Sequence, residues 1–142
     1  MRSSYTQLYV HLIWATWDRL PLITPAIEPR LYAAMAAKCR ELKCIPLAIG
    51  GVEDHIYLLV RLHATTPVAV LVKEVKGASS HLVTHVICPG EFFKWQGSYS
   101  ALTLAEKDLP RLKGYIGSQK QHHAAHNLLV VWERAEEDSD EK

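Results

Sequence analysis

The sequence predicts an α+β domain: a four-stranded antiparallel sheet in the order β-α-β-β-α-β, followed by one further helix. Three observations point there. Two segments, within residues 5–17 and 54–63, alternate apolar side chains at period two. Two others, residues 28–42 and 68–86, repeat them at helical spacing. Thr-Pro, Gly-Gly and Cys-Pro-Gly punctuate the intervals. With 142 residues, 49% hydrophobic and 22% charged, the chain suits one soluble globular domain and excludes a coiled-coil rod or a disordered chain.

In the first strand Leu8, Val10, Leu12 and Trp14 share one face, and Tyr9, His11, Ile13 and Ala15 the other. Both faces carry apolar groups, as in a strand covered on both sides. Asp18-Arg19-Leu20-Pro21 breaks it. Thr24-Pro25 resembles an N-cap followed by proline at the first helical position, although Pro29 favours a start at Glu28 or Pro29. Leu31, Met35, Lys38 or Cys39, and Leu42 then recur at the spacing of the first helix. Residues 44–49 form a short apolar run, and Gly50-Gly51 reads as a turn. The next strand sets Ile56, Leu58, Val60 and Leu62 against His55, Tyr57, Leu59, Arg61 and His63.

Thr66-Pro67 repeats the cap-then-proline pattern before a second helix, whose stripe is Val68, Val72, Val75, Ser79, Leu82 and Val86. Cys88-Pro89-Gly90 ends it. An aromatic strand region over residues 92–102 is interrupted at Gln96-Gly97. Thr103-Leu104-Ala105-Glu106 fits a capping box, opening a helix expected to reach about His126 with Pro110 restarting it. A last apolar segment covers residues 128–132. This is the ferredoxin-like split βαβ order plus one helix. Two helices cover one face of such a sheet. The face carrying His11, His55 and Tyr57 is left for a ligand or for the third helix.

Residues 133–142 hold six acids against Arg134 and Lys142, leaving 14 Lys and Arg against 9 Asp and Glu in residues 1–132. A single domain over 1–132 with a solvated acidic tail over 133–142 is therefore expected, and its modestly basic body permits nucleic-acid binding. No apolar run approaches the roughly 20 residues of a bilayer span, and the N-terminus lacks the layout of a signal peptide. Three cysteines (39, 44 and 88) without Cys-x-x-Cys spacing suit reduced thiols. The expected location is cytoplasmic.

Two constellations carry chemistry. In Asp54-His55-Ile56-Tyr57, residues two apart point the same way at about 6.6 Å. An imidazole there is a metal ligand, and the phenol two residues on is a poorer one at neutral pH, with an ordinary pKa near 10. In Tyr115-Ile116-Gly117-Ser118-Gln119, positions i and i+4 lie on one side of a helix. A tyrosine hydroxyl so placed can attack phosphorus, and a glutamine carbonyl can help hold the oxygen-loving cation, Mg²⁺ or Mn²⁺, that polarises a phosphate. The pairs His122/His126 and His81/His85 share i, i+4 spacing without a third ligand and read as solvated helix surface.

Together the blocks resemble the single-tyrosine transposases of insertion sequences and their relatives associated with repetitive extragenic palindromes (REP), within the His-hydrophobic-His endonuclease superfamily. The resemblance runs from about residue 5 to 126. It rests on Val10-His11-Leu12-Ile13-Trp14-Ala15-Thr16 followed by Arg19, on Gly51-Val52-Glu53-Asp54-His55-Ile56-Tyr57-Leu58-Leu59-Val60, and on Lys76-Gly77-Ala78-Ser79-Ser80. Trp95-Gln96-Gly97-Ser98-Tyr99 and Tyr115-Ile116-Gly117-Ser118-Gln119 with His122-His123 complete it.

The resemblance implies a DNA transposase that cuts and rejoins single-stranded DNA beside a hairpin through a 5′-phosphotyrosine. By position it makes Tyr115 the nucleophile and His55 and Gln119 ligands of a divalent metal, Mg²⁺ or Mn²⁺. It implies a homodimer in which the nucleophile helix of one subunit completes the site of the other. One position departs: Tyr57 stands where the family carries its second metal-binding histidine. Tyr57 as a direct ligand, Tyr57 supporting a metal-bound water, or His11 as a substitute if the first strand lies beside the His55 strand, are the candidate replacements. The alternative is a hairpin-DNA-binding relative with weak or no cleavage. A third reading is a ferredoxin-like domain that binds RNA or a small ligand on an open sheet, with Tyr57 facing solvent. Lys73, Lys76, Lys94, Arg111, Lys113 and Lys120 are candidate DNA contacts, with Trp17, Trp95 and Tyr99 as stacking groups.

Overall fold

The computed structural model describes residues 4–120. The expected elements over residues 121–132, the His122/His126 pair and the acidic tail lie outside the described residues. Four strands, β1 (Leu8–Ala15), β2 (Ile45–Val52), β3 (His55–Leu62) and β4 (Ser100–Thr103), form one antiparallel sheet in the order β2-β3-β1-β4. Helices α1 (Glu28–Glu41) and α2 (Val68–Leu82) are the two crossovers, and α3 (Leu109–Gly117) follows β4. The expected fold class, additional helix included, is the observed one. No helix among the described residues is long and apolar enough to cross a membrane.

The period-two alternation becomes two cores. Val10, Leu12 and Trp14 of β1 and Ile56, Leu58 and Val60 of β3 pack on Leu31, Met35 and Cys39 of α1 and Leu71, Val72 and Val75 of α2. On the reverse face Ile13, Tyr57 and Leu59 meet Leu112, Tyr115 and Ile116 of α3. Of the two occupants anticipated for that face, the third helix is the one present, and Tyr57 is fully buried beneath it. An open, base-stacking sheet is therefore not what this chain displays.

Several local expectations yield to tertiary contacts. Thr24 makes no side-chain cap; its carbonyl accepts from the N–H groups of Ile27 and Glu28, and α1 starts at Glu28 with proline in its first turn. Thr66 Oγ1 donates to the Leu42 carbonyl at the end of α1 (2.9 Å) rather than capping α2. Gly50 and Gly51 lie within β2, not in a turn, which falls at Glu53-Asp54 instead. Their missing side chains have another purpose: a Cβ on Gly50 would overlap the Ile116 carbonyl, and one on Gly51 the His55 carbonyl. Gly50 lets α3 settle on the sheet, while Gly51 makes room for the backbone of β3 and the Tyr32 hydroxyl.

Between residues 92 and 99 the chain touches the sheet edge at Trp95, an isolated bridge to Thr16, and at Gln96, whose N–H donates to the Ala15 carbonyl (2.8 Å). The half-buried Lys76 ammonium donates to the carbonyls of Gln96 (2.7 Å) and Ser98 (2.9 Å) and so folds this loop over α2. Thr103 ends β4 opposite Val10, so the predicted capping box does not form, and α3 begins at Leu109 with Pro110 in its first turn. Cys39, Cys44 and Cys88 are free.

Candidate functional site

The site forms where the α3 face of the sheet meets the β2–β3 turn. His55 opens β3, paired with Ala15 on one side and Val52 on the other. Asp54, in the turn, brings its Oδ1 to 2.6 Å from His55 Nδ1. A carboxylate only accepts, so Nδ1 carries the hydrogen and Nε2 of the neutral ring is an acceptor. The Tyr57 hydroxyl fills that role as donor, 2.7 Å from Nε2. His55 is 3% exposed and Tyr57 wholly buried, so both groups are ordered by packing as well as by hydrogen bonds.

Arg19 extends the chain of contacts, with Nε 3.7 Å from Asp54 Oδ2. It reaches there because the backbone doubles back after β1: Asp18 and Arg19 both hold φ of 54°, a left-handed conformation costly for residues with a Cβ. Thr16 stabilises this reversal, its hydroxyl 2.6 Å from the Leu20 carbonyl and 3.1 Å from that of Asp54. The Asp18 N–H donates to Gln96 Oε1 (3.0 Å).

From above, α3 contributes Tyr115 and, one turn on, Gln119. The Tyr115 ring meets the Tyr57 ring edge-on, centroids 6.4 Å apart. Gln119 is 1% exposed; its Nε2 donates to the Tyr115 carbonyl (2.9 Å). Its Oε1 is buried with no hydrogen-bond partner among the described residues. Burying an unmatched acceptor costs about 1–3 kcal/mol. A bare amide oxygen and an imidazole are each donors of a kind that a divalent cation takes. By donor chemistry the two residues fit such an ion, on the condition that it reaches His55 Nε2 past the Tyr57 hydroxyl. His11 is buried on the same face, but its ring stacks on Tyr57 (centroids 5.8 Å, planes 2° apart), leaving the phenol as neighbour to both imidazoles.

The C-terminal end of α3 is moored to α1. Lys120 Nζ lies 2.5 Å from Glu28 Oε2 and donates to the Gly51 carbonyl (3.2 Å), and the Tyr32 hydroxyl donates to the same Glu28 oxygen (2.8 Å). Burial and the Glu28 charge push the Tyr32 phenol well above its ordinary range. A cavity of about 610 Å³ opens here, lined by Glu28, Tyr32, Gly50, Gly51 and residues 116–120.

The six candidate DNA contacts fall into separate groups. Lys73, Lys76 and Lys94 line a second cavity of about 420 Å³ between α2 and the 92–99 loop, with Tyr99 and no carboxylate among its lining. Burial pushes Lys76 down to about 8. Lys94 sits over the exposed Trp17 ring, 4.1 Å from its centroid. Trp95 is a core group instead, edge-on to Trp14 and Phe93, with its indole N–H donating to Ser79 Oγ (3.0 Å). Arg111 and Lys113 lie on the outer side of α3, and Lys120 is paired as described. His81 and His85 stack on the exposed surface beyond α2 (centroids 4.0 Å).

Sequence reasoning passed over Glu28, Tyr32 and the packing purpose of Gly50. Asp54 was visible as the acid preceding His55, but its hydrogen bond needs the turn that the structure supplies.

Comparison with known proteins bears on this arrangement. Residues 4–119 match the family described as IS200-like transposases. A solved candidate transposase from Deinococcus radiodurans R1 is 25% identical with a TM-score of 0.65, over 84% of this chain and 95% of that one. A REP-associated tyrosine transposase bound to a REP hairpin shares the fold, with a TM-score of 0.66 and 15% identity over 99% of this chain and 83% of that one. No curated protein sequence matches. With the family match spanning most of its length, and the strand and helix blocks assembled on one sheet face, the chain belongs to the IS200-like transposase family.

Proposed function

We propose that this transposase cuts and rejoins single-stranded DNA beside a hairpin, with Tyr115 as nucleophile. The observation that carries the reading is the placement of Tyr115 against Tyr57, whose hydroxyl is bonded to His55, with Gln119 one helical turn further on. In the proposed step the Tyr115 oxygen forms a bond to the scissile phosphorus, and the bond from phosphorus to the 3′ oxygen breaks. The phenol proton leaves, the 3′ oxygen takes one up as a free hydroxyl, and the 5′ phosphate stays on the tyrosine; attack by that hydroxyl reverses the step. His55 and Gln119 would hold Mg²⁺ or Mn²⁺, which when bound supplies polarisation of the phosphate.

The chain's own residues orient the reaction. Asp54 and Arg19 hold His55 at its ring angle, and Tyr57 supports the underside of the Tyr115 ring. Gly50 admits α3 close enough to place both. Lys73, Lys76 and Lys94, with Trp17 and Tyr99, offer cations and aromatic surface to DNA on one side, and Arg111, Lys113 and Lys120 on the other. A homodimer, a single domain over 1–132 with a solvated tail, and a cytoplasmic location complete the reading.

The test uses a labelled single strand bearing a hairpin, with Mg²⁺ or Mn²⁺. A covalent protein–DNA adduct, absent in Tyr115→Phe and in chelator, is expected; tight retention of DNA without adduct would instead establish a binding relative. That second reading has one specific observation in its favour, the hydrogen bond that occupies His55 Nε2.

A further inference from the structure

Resting on the metal position proposed above, a more particular role follows for Tyr57. A histidine has two ring nitrogens, and here both are engaged: Nδ1 by Asp54 at 2.6 Å and Nε2 by the Tyr57 hydroxyl at 2.7 Å. The Asp54 bond leaves the Nε2 lone pair as the ring's only ligating position, the arrangement that orients metal-bound imidazoles. The Tyr57 hydroxyl sits on that lone pair. It is held there by burial, by His11 stacked on its ring and by Tyr115 against its edge. Meanwhile Gln119 Oε1 stays buried without a hydrogen-bond partner among the described residues. The imidazole nitrogen is thus masked by a hydrogen bond, while the glutamine oxygen is buried without one.

We propose that Tyr57 is an internal competitor for the metal: its hydroxyl caps His55 Nε2, and a divalent cation binds only by displacing that hydrogen bond. Breaking the cap costs the same whichever cation enters, so affinity for Mg²⁺ and for Mn²⁺ falls by one common factor. Asp54 is a positioning residue that keeps Nε2 as the acceptor.

The experiment is a Mn²⁺ and Mg²⁺ titration of the full chain without DNA, read by calorimetry, for wild type and Tyr57→Phe. Phenylalanine keeps the ring and removes the cap. The expected result is Mn²⁺ binding roughly tenfold tighter in Tyr57→Phe, the size of one net hydrogen bond, with a gain of the same factor for Mg²⁺ and loss of both in Tyr57→Phe/His55→Ala. Equal or weaker binding by Tyr57→Phe, or no binding by either protein, overturns the proposal; weaker binding would make Tyr57 itself a ligand. If Tyr57→Phe fails to fold, Tyr57→Leu takes its place under the same criteria. Because no DNA is present, failure of the cap is separable from failure of Tyr115 as nucleophile, which the adduct assay reads.

Discussion

The Tyr115 ring stands edge-on to the Tyr57 ring, 6.4 Å between centroids, so the proposed nucleophile is also a packing residue of the α3 core. The two roles separate by substitution. Tyr115→Phe keeps the edge contact and is expected to unfold within about 1 kcal/mol of wild type while forming no DNA adduct. Tyr115→Ala is expected to lose about 3–5 kcal/mol as well, the cost of removing a buried aromatic ring. Urea unfolding beside the adduct assay distinguishes them.

Replacing Tyr57 by histidine removes the cap and supplies a second imidazole two residues from the first. Tyr57→His is expected to raise metal-dependent cleavage of a hairpin-flanked single strand. Cleavage equal to or below wild type at subsaturating Mn²⁺ would count against the ligand assignment.

Gly50 and Gly77 offer a paired test of how α3 is seated. A methyl at Gly50 runs into the Ile116 backbone, whereas one at Gly77 in α2 meets nothing within 4 Å. Gly50→Ala is expected to destabilise by about 1–3 kcal/mol and to depress adduct formation. Gly77→Ala is expected to stabilise by up to about 1 kcal/mol through helix propensity. Thermal melts of both variants check the contrast.

Lys76 carries a pH dependence of unusual sign. Burial lowers it from 10.5 to about 8 in the folded chain. Between those values the unfolded state binds the extra proton, so this group's contribution to stability rises with pH. The stability of wild type relative to Lys76→Met is therefore expected to improve from pH 8 to 10. A pH-independent difference would show that the ammonium stays charged while holding the Gln96 and Ser98 carbonyls.

Much of this architecture was legible before any coordinates. Both strand faces were assigned from alternation because period two leaves no freedom once apolar residues mark the core: Val10, Leu12 and Trp14 went to one side, His11 and Ile13 to the other, and each lies there. Local signals failed where a distant partner outbid them. Thr66 and Thr103 have the chemistry of caps, but a carbonyl of Leu42 and a strand partner in Val10 claimed them. Gly50-Gly51 looked like a turn because glycine's tolerance for tight backbone is the same whether the chain bends or another element presses on it. In the site, Asp54, His55 and Tyr57 are sequence neighbours and could be seen together. Glu28 and Lys120 are 92 positions apart, and nothing short of the assembled fold pairs them.

The division of the sheet into two cores has a further consequence. The larger, on the α1–α2 side, contains Trp14, Leu31, Met35 and Leu58 and carries the fold; the smaller holds little more than α3. Opening the smaller requires only part of the global unfolding free energy, so amide hydrogens of α3 are expected to exchange ahead of those in α1 and α2.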